Sequence, residues 1–270
     1  GAGVPARKEK SRQACCVCYD FTPFIAMPAI LCFGDSNTWG YDPDATGASP
    51  VPVRHPAASR WTGVLAAALG LDFEVIAAGQ NGRTTVFEDP HHPGRNGRTA
   101  LPVFLETHQP LDLVILMLGT NDLKTVFHAP PGEIAAGAAA LLGLIRQSEA
   151  GPRGTAPKIL LVCPPAVGPF DHLPDLAEKF EAAAAKSRRL PDYYRQIATQ
   201  TGCAFLDAQP LVTASRLDGL HFDAANHRRL GEELQPGAPL GLGFQVDDGL
   251  EHLGGCRIGG SVGSSCLAVH

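Results

Sequence analysis

The chain has 270 residues, of which 44% are hydrophobic and 18% charged, enough apolar surface for one sizeable α/β domain and too much for an intrinsically disordered segment. No uninterrupted apolar run reaches the length a bilayer requires, which excludes a membrane-spanning role. The formal charge of −5 and the scattered Lys and Arg leave no basic stripe, so nucleic acid is excluded as a partner and a small neutral ligand fits the balance better.

Residues 1–26 combine a basic stretch (Arg7, Lys8, Lys10, Arg12) with a short apolar stretch broken by Asp20 and Pro23, so the apolar centre of a secretory signal is poorly formed and a cytoplasmic location is expected. Met27 then opens Met-Pro-Ala-Ile-Leu-Cys-Phe and reads as a native start. The segment before it is expected to be an N-terminal extension derived from the clone. From residue 27 to residue 234 short apolar runs alternate with longer helical stretches, the signature of βαβ units in a parallel sheet. Strands are predicted over residues 30–33, 73–76, 113–118, 159–163 and 204–206. Helices are predicted over 60–69, 134–146, 176–199 and 224–234, where apolar residues recur at helical spacing and Ala is frequent. Five strands with crossover helices imply a three-layer αβα sandwich of flavodoxin type, with any ligand at the carboxyl ends of the strands. Residues 235–270 form a Gly-rich tail beginning at Gln235-Pro236-Gly237 and are expected to be peripheral. Among the eight cysteines, Cys32, Cys163 and Cys203 fall in or beside strand-like runs and read as small buried hydrophobes. Cys15, Cys16, Cys18, Cys256 and Cys266 lie near the ends with no zinc or disulfide spacing.

Three strand-end loops carry chemistry. After the first strand comes Gly34-Asp35-Ser36-Asn37-Thr38, a turn that presents a serine near a helix N-terminus. A serine hydroxyl needs a base to take its proton and donors for the oxyanion it creates. Alone, this motif is at least as well explained as a helix cap. After the third strand, Gly119-Thr120-Asn121-Asp122 can aim an amide N–H at the same space, although an Asx turn would use the same residues. After the fifth, Leu217-Asp218-Gly219-Leu220-His221-Phe222 places a carboxylate three residues before a histidine, so one segment can supply both a base and the acid that orients it.

These loops, in the order Ser, Asn, Asp and His, resemble the four blocks of the SGNH (GDSL-like) hydrolase family: Gly34-Asp35-Ser36, Gly82 within Gly79-Gln80-Asn81-Gly82-Arg83-Thr84-Thr85, Gly119-Thr120-Asn121-Asp122, and Asp218-Gly219-Leu220-His221. The resemblance runs from about Met27 to Leu234. Within the family the chain is most similar to bacterial arylesterases and the related acyltransferase/perhydrolase group. It implies a serine esterase for short-chain or aryl esters, with Ser36 as nucleophile, His221 as base and Asp218 as its orienting acid. The oxyanion would be held by the backbone N–H groups of Ser36 and Gly82 and by the Asn121 side chain. A small-molecule ester substrate, no cofactor and no metal are implied. Side activity in acyl transfer or perhydrolysis is implied too. A carbohydrate acetyl esterase and a non-catalytic flavodoxin-like binding module are the competing readings. Asn37 stands where many arylesterases of this group carry Leu, which suggests a more polar acyl pocket, and Trp39 is a second candidate for lining it.

His91, His92 and His108 lack a second pair of ligands at metal spacing. Asp42-Pro43-Asp44-Ala45-Thr46 has the form of a dehalogenase-type nucleophile motif but does not end an apolar strand, and that reading is rejected. The segment 87–108, with Asp89-Pro90, Pro93-Gly94 and Asn96-Gly97, is longer than an ordinary connection. In the resembled arylesterases this region shapes the substrate entrance and makes oligomer contacts, which implies a homo-oligomer here.

Overall fold

The computed structural model describes Gly1 and residues 27–235; the expectations for the extension, the tail and their five cysteines lie outside the described residues. Five strands, β1 (Ala29–Gly34), β2 (Glu74–Gly79), β3 (Leu113–Met117), β4 (Lys158–Cys163) and β5 (Ala204–Asp207), form one parallel sheet in the order β2-β1-β3-β4-β5. Every residue of β1 and β3 is buried, as expected for central strands covered on both faces.

The two faces follow the period of two along each strand. Leu31, Phe33, Val114, Leu116 and Leu161 point to the side covered by α4 (Gly97–His108), α5 (Pro131–Gln147) and α8 (Leu190–Thr201). Ile30, Cys32, Ile115, Met117 and Val162 point to the side covered by α3 (Trp61–Leu69) and α9 (Ala224–Glu233). Among the described residues there are also four short α-helices, α1 (Ser36–Trp39), α2 (Pro43–Gly47), α6 (Pro174–Lys179) and α7 (Ala183–Ser187). The three-layer αβα sandwich is thus observed. Cys32 and Cys163 are fully buried, and burial pushes both thiols up; Cys203 is half-buried.

Register determines where a site can form. Gly34 of β1 is level with Gly79 of β2 and Met117 of β3, so three strands end on one rim at the point where strand order reverses. Glycine is required at Gly34 because a Cβ there would lie 2.1 Å from Thr38 Oγ1 and 2.8 Å from Met117 O.

Two helical regions differ from the sequence expectation. Half of the long 87–108 segment is α4, started by Asn96, whose side chain accepts from Arg98 N at 2.9 Å, and held by buried Leu101 and Leu105. Pro102 inside the helix and the flanking glycines conceal its period. The predicted helix over 176–199 is instead three helices, α6 to α8, with Ala182 in the left-handed region at φ +59° between the first two.

Candidate active site

Ser36 is the first residue of α1, in the turn that leaves β1. Asp35 caps that helix, its Oδ1 accepting from Asn37 N at 2.9 Å, and the turn presents the Ser36 side chain toward the rim. The His221 ring meets it there: His221 Nε2 is 2.8 Å from Ser36 Oγ, and His221 Nδ1 is 2.6 Å from Asp218 Oδ2. A carboxylate has no proton to give, so Nδ1 donates to Asp218 and Nε2 is left to accept from the serine hydroxyl. Burial pushes the Asp218 carboxyl up. The hydrogen bond and charge of His221 and the backbone N–H groups outweigh it and hold the carboxyl below its usual range, so Asp218 is ionised at neutral pH.

The loop bearing this pair is built by the same side chains. Asp218 Oδ1 accepts from Leu220 N at 2.9 Å and His221 N at 3.0 Å, a local turn that orients the following imidazole. Asn37 clamps the loop on both sides of His221: its Nδ2 donates to Leu220 O at 3.1 Å and its Oδ1 accepts from Phe222 N at 3.0 Å. The Tyr41 ring stacks on the imidazole, with centroids 3.9 Å apart. Asn37 is buried and turned to this loop, and Trp39 packs under the Arg54 guanidinium, 4.8 Å away. Neither borders the cavity over Ser36, so the polar acyl pocket expected from Asn37 and Trp39 does not form from them. Asp42 caps α2 and lies 3.2 Å from His55, a structural position.

Ser36, Gly82, Asn121 and His221 border one cavity of about 370 Å³. Gly82 sits at φ +79°, a conformation that favours glycine, and among the described residues its N–H has no protein acceptor. Asn121, just past β3, donates one amide N–H to Arg83 O at 3.1 Å and has a second left to give. Beneath the cavity the Arg83 guanidinium is buried. It donates to Gly34 O at 2.7 Å and to Ala78 O, at the ends of β1 and β2, and lies 4.1 Å over the Phe33 ring. Burial lowers it to about 10, still a cation at neutral pH. Asp122 accepts from Thr85 N at 2.9 Å and from the Thr85 hydroxyl, and burial raises its carboxyl to about 6. Together, Arg83 and Asp122 bind the Gly82 loop to the ends of β1, β2 and β3.

At the other end of the cavity Lys124 makes a buried 2.8 Å ion pair with Asp89, which also accepts from His91 N and His92 N. This is where two of the three screened histidines go. His108 ends α4, against Phe104. Sequence reasoning missed Tyr41, Lys124 and Arg95 as cavity residues; no local motif marks them.

A model of the GDSL-like lipase/acylhydrolase family matches residues 32–229, a span that takes in every residue of the relay. The chain belongs to this family. Among solved structures, an aryl esterase from M. smegmatis is 43% identical with a TM-score of 0.71, over 76% of this chain and 94% of that one. A carbohydrate acetylesterase from Sinorhizobium meliloti is 40% identical with the same TM-score and coverage. A putative arylesterase from Agrobacterium tumefaciens is 38% identical with a TM-score of 0.67, over 77% of this chain and 96% of that one. A search of curated proteins returned no match. Family membership makes the chain a carboxylic ester hydrolase by class, and among the described residues no helix is long and apolar enough to cross a membrane.

Proposed function

We propose that this member of the family is a serine esterase that cleaves short-chain or aryl carboxylic esters through an acyl-enzyme on Ser36. The observation that carries the reading is the continuous relay Asp218–His221–Ser36, with both links within hydrogen-bond distance. As Ser36 Oγ bonds to the ester carbon, its proton passes to His221 Nε2, and the imidazolium is stabilised by ionised Asp218. The carbonyl oxygen becomes an oxyanion facing Ser36 N, Gly82 N and the free Asn121 N–H. Donors of this kind contribute about 3 kcal/mol each to lowering the barrier. Collapse returns the proton from Nε2 to the departing alcohol. Water then repeats the sequence on the acyl-enzyme, and an alcohol or peroxide in its place gives acyl transfer or perhydrolysis.

The cavity volume suits an acyl group of a few carbons with a small alcohol. The test is a series of p-nitrophenyl esters from acetate to decanoate, with Ser36→Ala beside the wild type. Turnover falling with chain length and lost in the alanine variant is the expected result. Turnover retained by a folded Ser36→Ala protein would refute the reading.

A further inference from the structure

Among the described residues, Arg95, Lys124 and Lys179 border the cavity over Ser36 and no Asp or Glu does. Lys124 is neutralised by Asp89. The other two are not: among the described residues, neither the Arg95 nor the Lys179 side chain makes a hydrogen bond or ion pair. Arg95 lies over the Gly82 loop, with its Nε 3.5 Å from where a Gly82 Cβ would stand. Lys179, exposed, ends α6 at the far wall beside Leu176 and Phe180.

Each of the two works against a neighbouring cation. Burial lowers Lys179, and neighbouring Lys124 lowers it further, more than Asp89 restores. Arg95 likewise works against the buried Arg83 cation. Two unpaired cations on the walls of a reactive cavity raise the local concentration of anions there and favour a bound negative charge. Overall composition pointed to a small neutral ligand, because the chain's net charge is negative; the cavity has the opposite sign.

We propose that the preferred substrate is an ester bearing a carboxylate, which Arg95 and Lys179 recognise at the rim of the cavity while Ser36 attacks the ester bond. This inference rests on the esterase reading above and adds the charge of the substrate. The carboxylate could sit on either half of the ester, and paired substrates separate the two. Mono-p-nitrophenyl glutarate is compared with its methyl ketone isostere for the acyl half, and para-acetoxybenzoate with para-acetoxyacetophenone for the alcohol half. Rates measured with Ser36→Ala are subtracted as background.

The quantity read is the ratio of kcat/KM for the charged ester to that for its neutral isostere. Because both are measured on one preparation, partial misfolding cancels. The ratio should exceed unity in one of the two pairs, decline with added salt, and fall about fivefold in the double variant Arg95→Gln, Lys179→Gln, as two partly exposed cations allow. A ratio at or below unity in both pairs, or an unchanged ratio in the double variant, would overturn the inference while leaving the esterase reading intact. Absence of Ser36-dependent hydrolysis of any of the four esters would overturn the esterase reading itself.

Discussion

Replacing Asp218 by Asn tests the relay with little disturbance to the loop. The Asn oxygen can keep the Oδ1 role, accepting from Leu220 N and His221 N, so the turn that holds His221 survives. What changes is the atom 2.6 Å from Nδ1, where an amide NH2 replaces Oδ2. That group donates to Nδ1, which moves the imidazole proton to Nε2, and Nε2 then donates to Ser36 Oγ instead of accepting from it. Restoring the working tautomer sets two donors against each other, at about 1–3 kcal/mol, and the imidazolium loses a charged hydrogen bond of about 1.5–3 kcal/mol. The sum, about 2.5–6 kcal/mol, predicts a loss in kcat of roughly 10² to 10⁴. The upper end is the loss seen for the corresponding change in serine proteases, about 10⁴. The side chains of His221 and Asp218 are 15% and 17% exposed, so water can partly substitute and the loss should fall below that limit. The assay is kcat on p-nitrophenyl acetate at neutral pH, with thermal unfolding as a check. Asp218→Ala should lose both activity and stability, since it also strips the acceptor from two loop N–H groups. An Asp218→Asn enzyme keeping more than a tenth of wild-type kcat would refute this reasoning.

Asn37→Ala should lower kcat at least about tenfold with a smaller change in KM, and lower stability by about 2–4 kcal/mol, because Leu220 O and Phe222 N are left without their partner. Equal changes in kcat and KM, or none, would show that the clamp does not position His221. Lys124→Met should destabilise the fold by about 3–5 kcal/mol at neutral pH, because Asp89 is left buried without its counter-ion. In the wild type, burial pushes the Asp89 carboxyl up, but the Lys124 hydrogen bond and charge with the neighbouring N–H groups hold it below its usual range. The ion pair's contribution is therefore complete above the ordinary carboxylate range and is lost as pH falls below it. The stability gap between wild type and Lys124→Met should accordingly narrow on acidification; denaturant melts at a series of pH values that show a widening gap would contradict the role given to this pair.

The residues of the proposed relay were legible because each lies in a short motif in a loop that follows a strand, Ser36 directly after β1 and Asp218 with His221 further along the loop after β5. Asp218 and His221 are three residues apart, and Asn121 follows β3 within a few positions. Asn37 was legible as an unusual residue, but its partners lie more than 180 positions away, so its clamp could be found only in three dimensions. Tyr41, Arg95 and Lys124 came to the cavity the same way, each from a connection with no periodic pattern. Among the elements, β1, β3 and β4 were read to within a residue or so at each end because apolar runs buried on both faces are distinctive. β2 extends three residues further than its apolar pattern, through Ala77, Ala78 and Gly79, since pairing with β1 overrides the weak strand preference of small residues. α4 was hidden by Pro102, and the break at Ala182 by an Ala-rich sequence that looks uniformly helical.

The central claim is that Ser36 carries the acyl group, and rapid-quench mass spectrometry of enzyme mixed with p-nitrophenyl acetate tests it directly. The account predicts a burst of p-nitrophenol matched by acetylation of the peptide containing Ser36, and neither in Ser36→Ala. Steady turnover with acetyl on another residue, or an undiminished burst in the alanine variant, would contradict it.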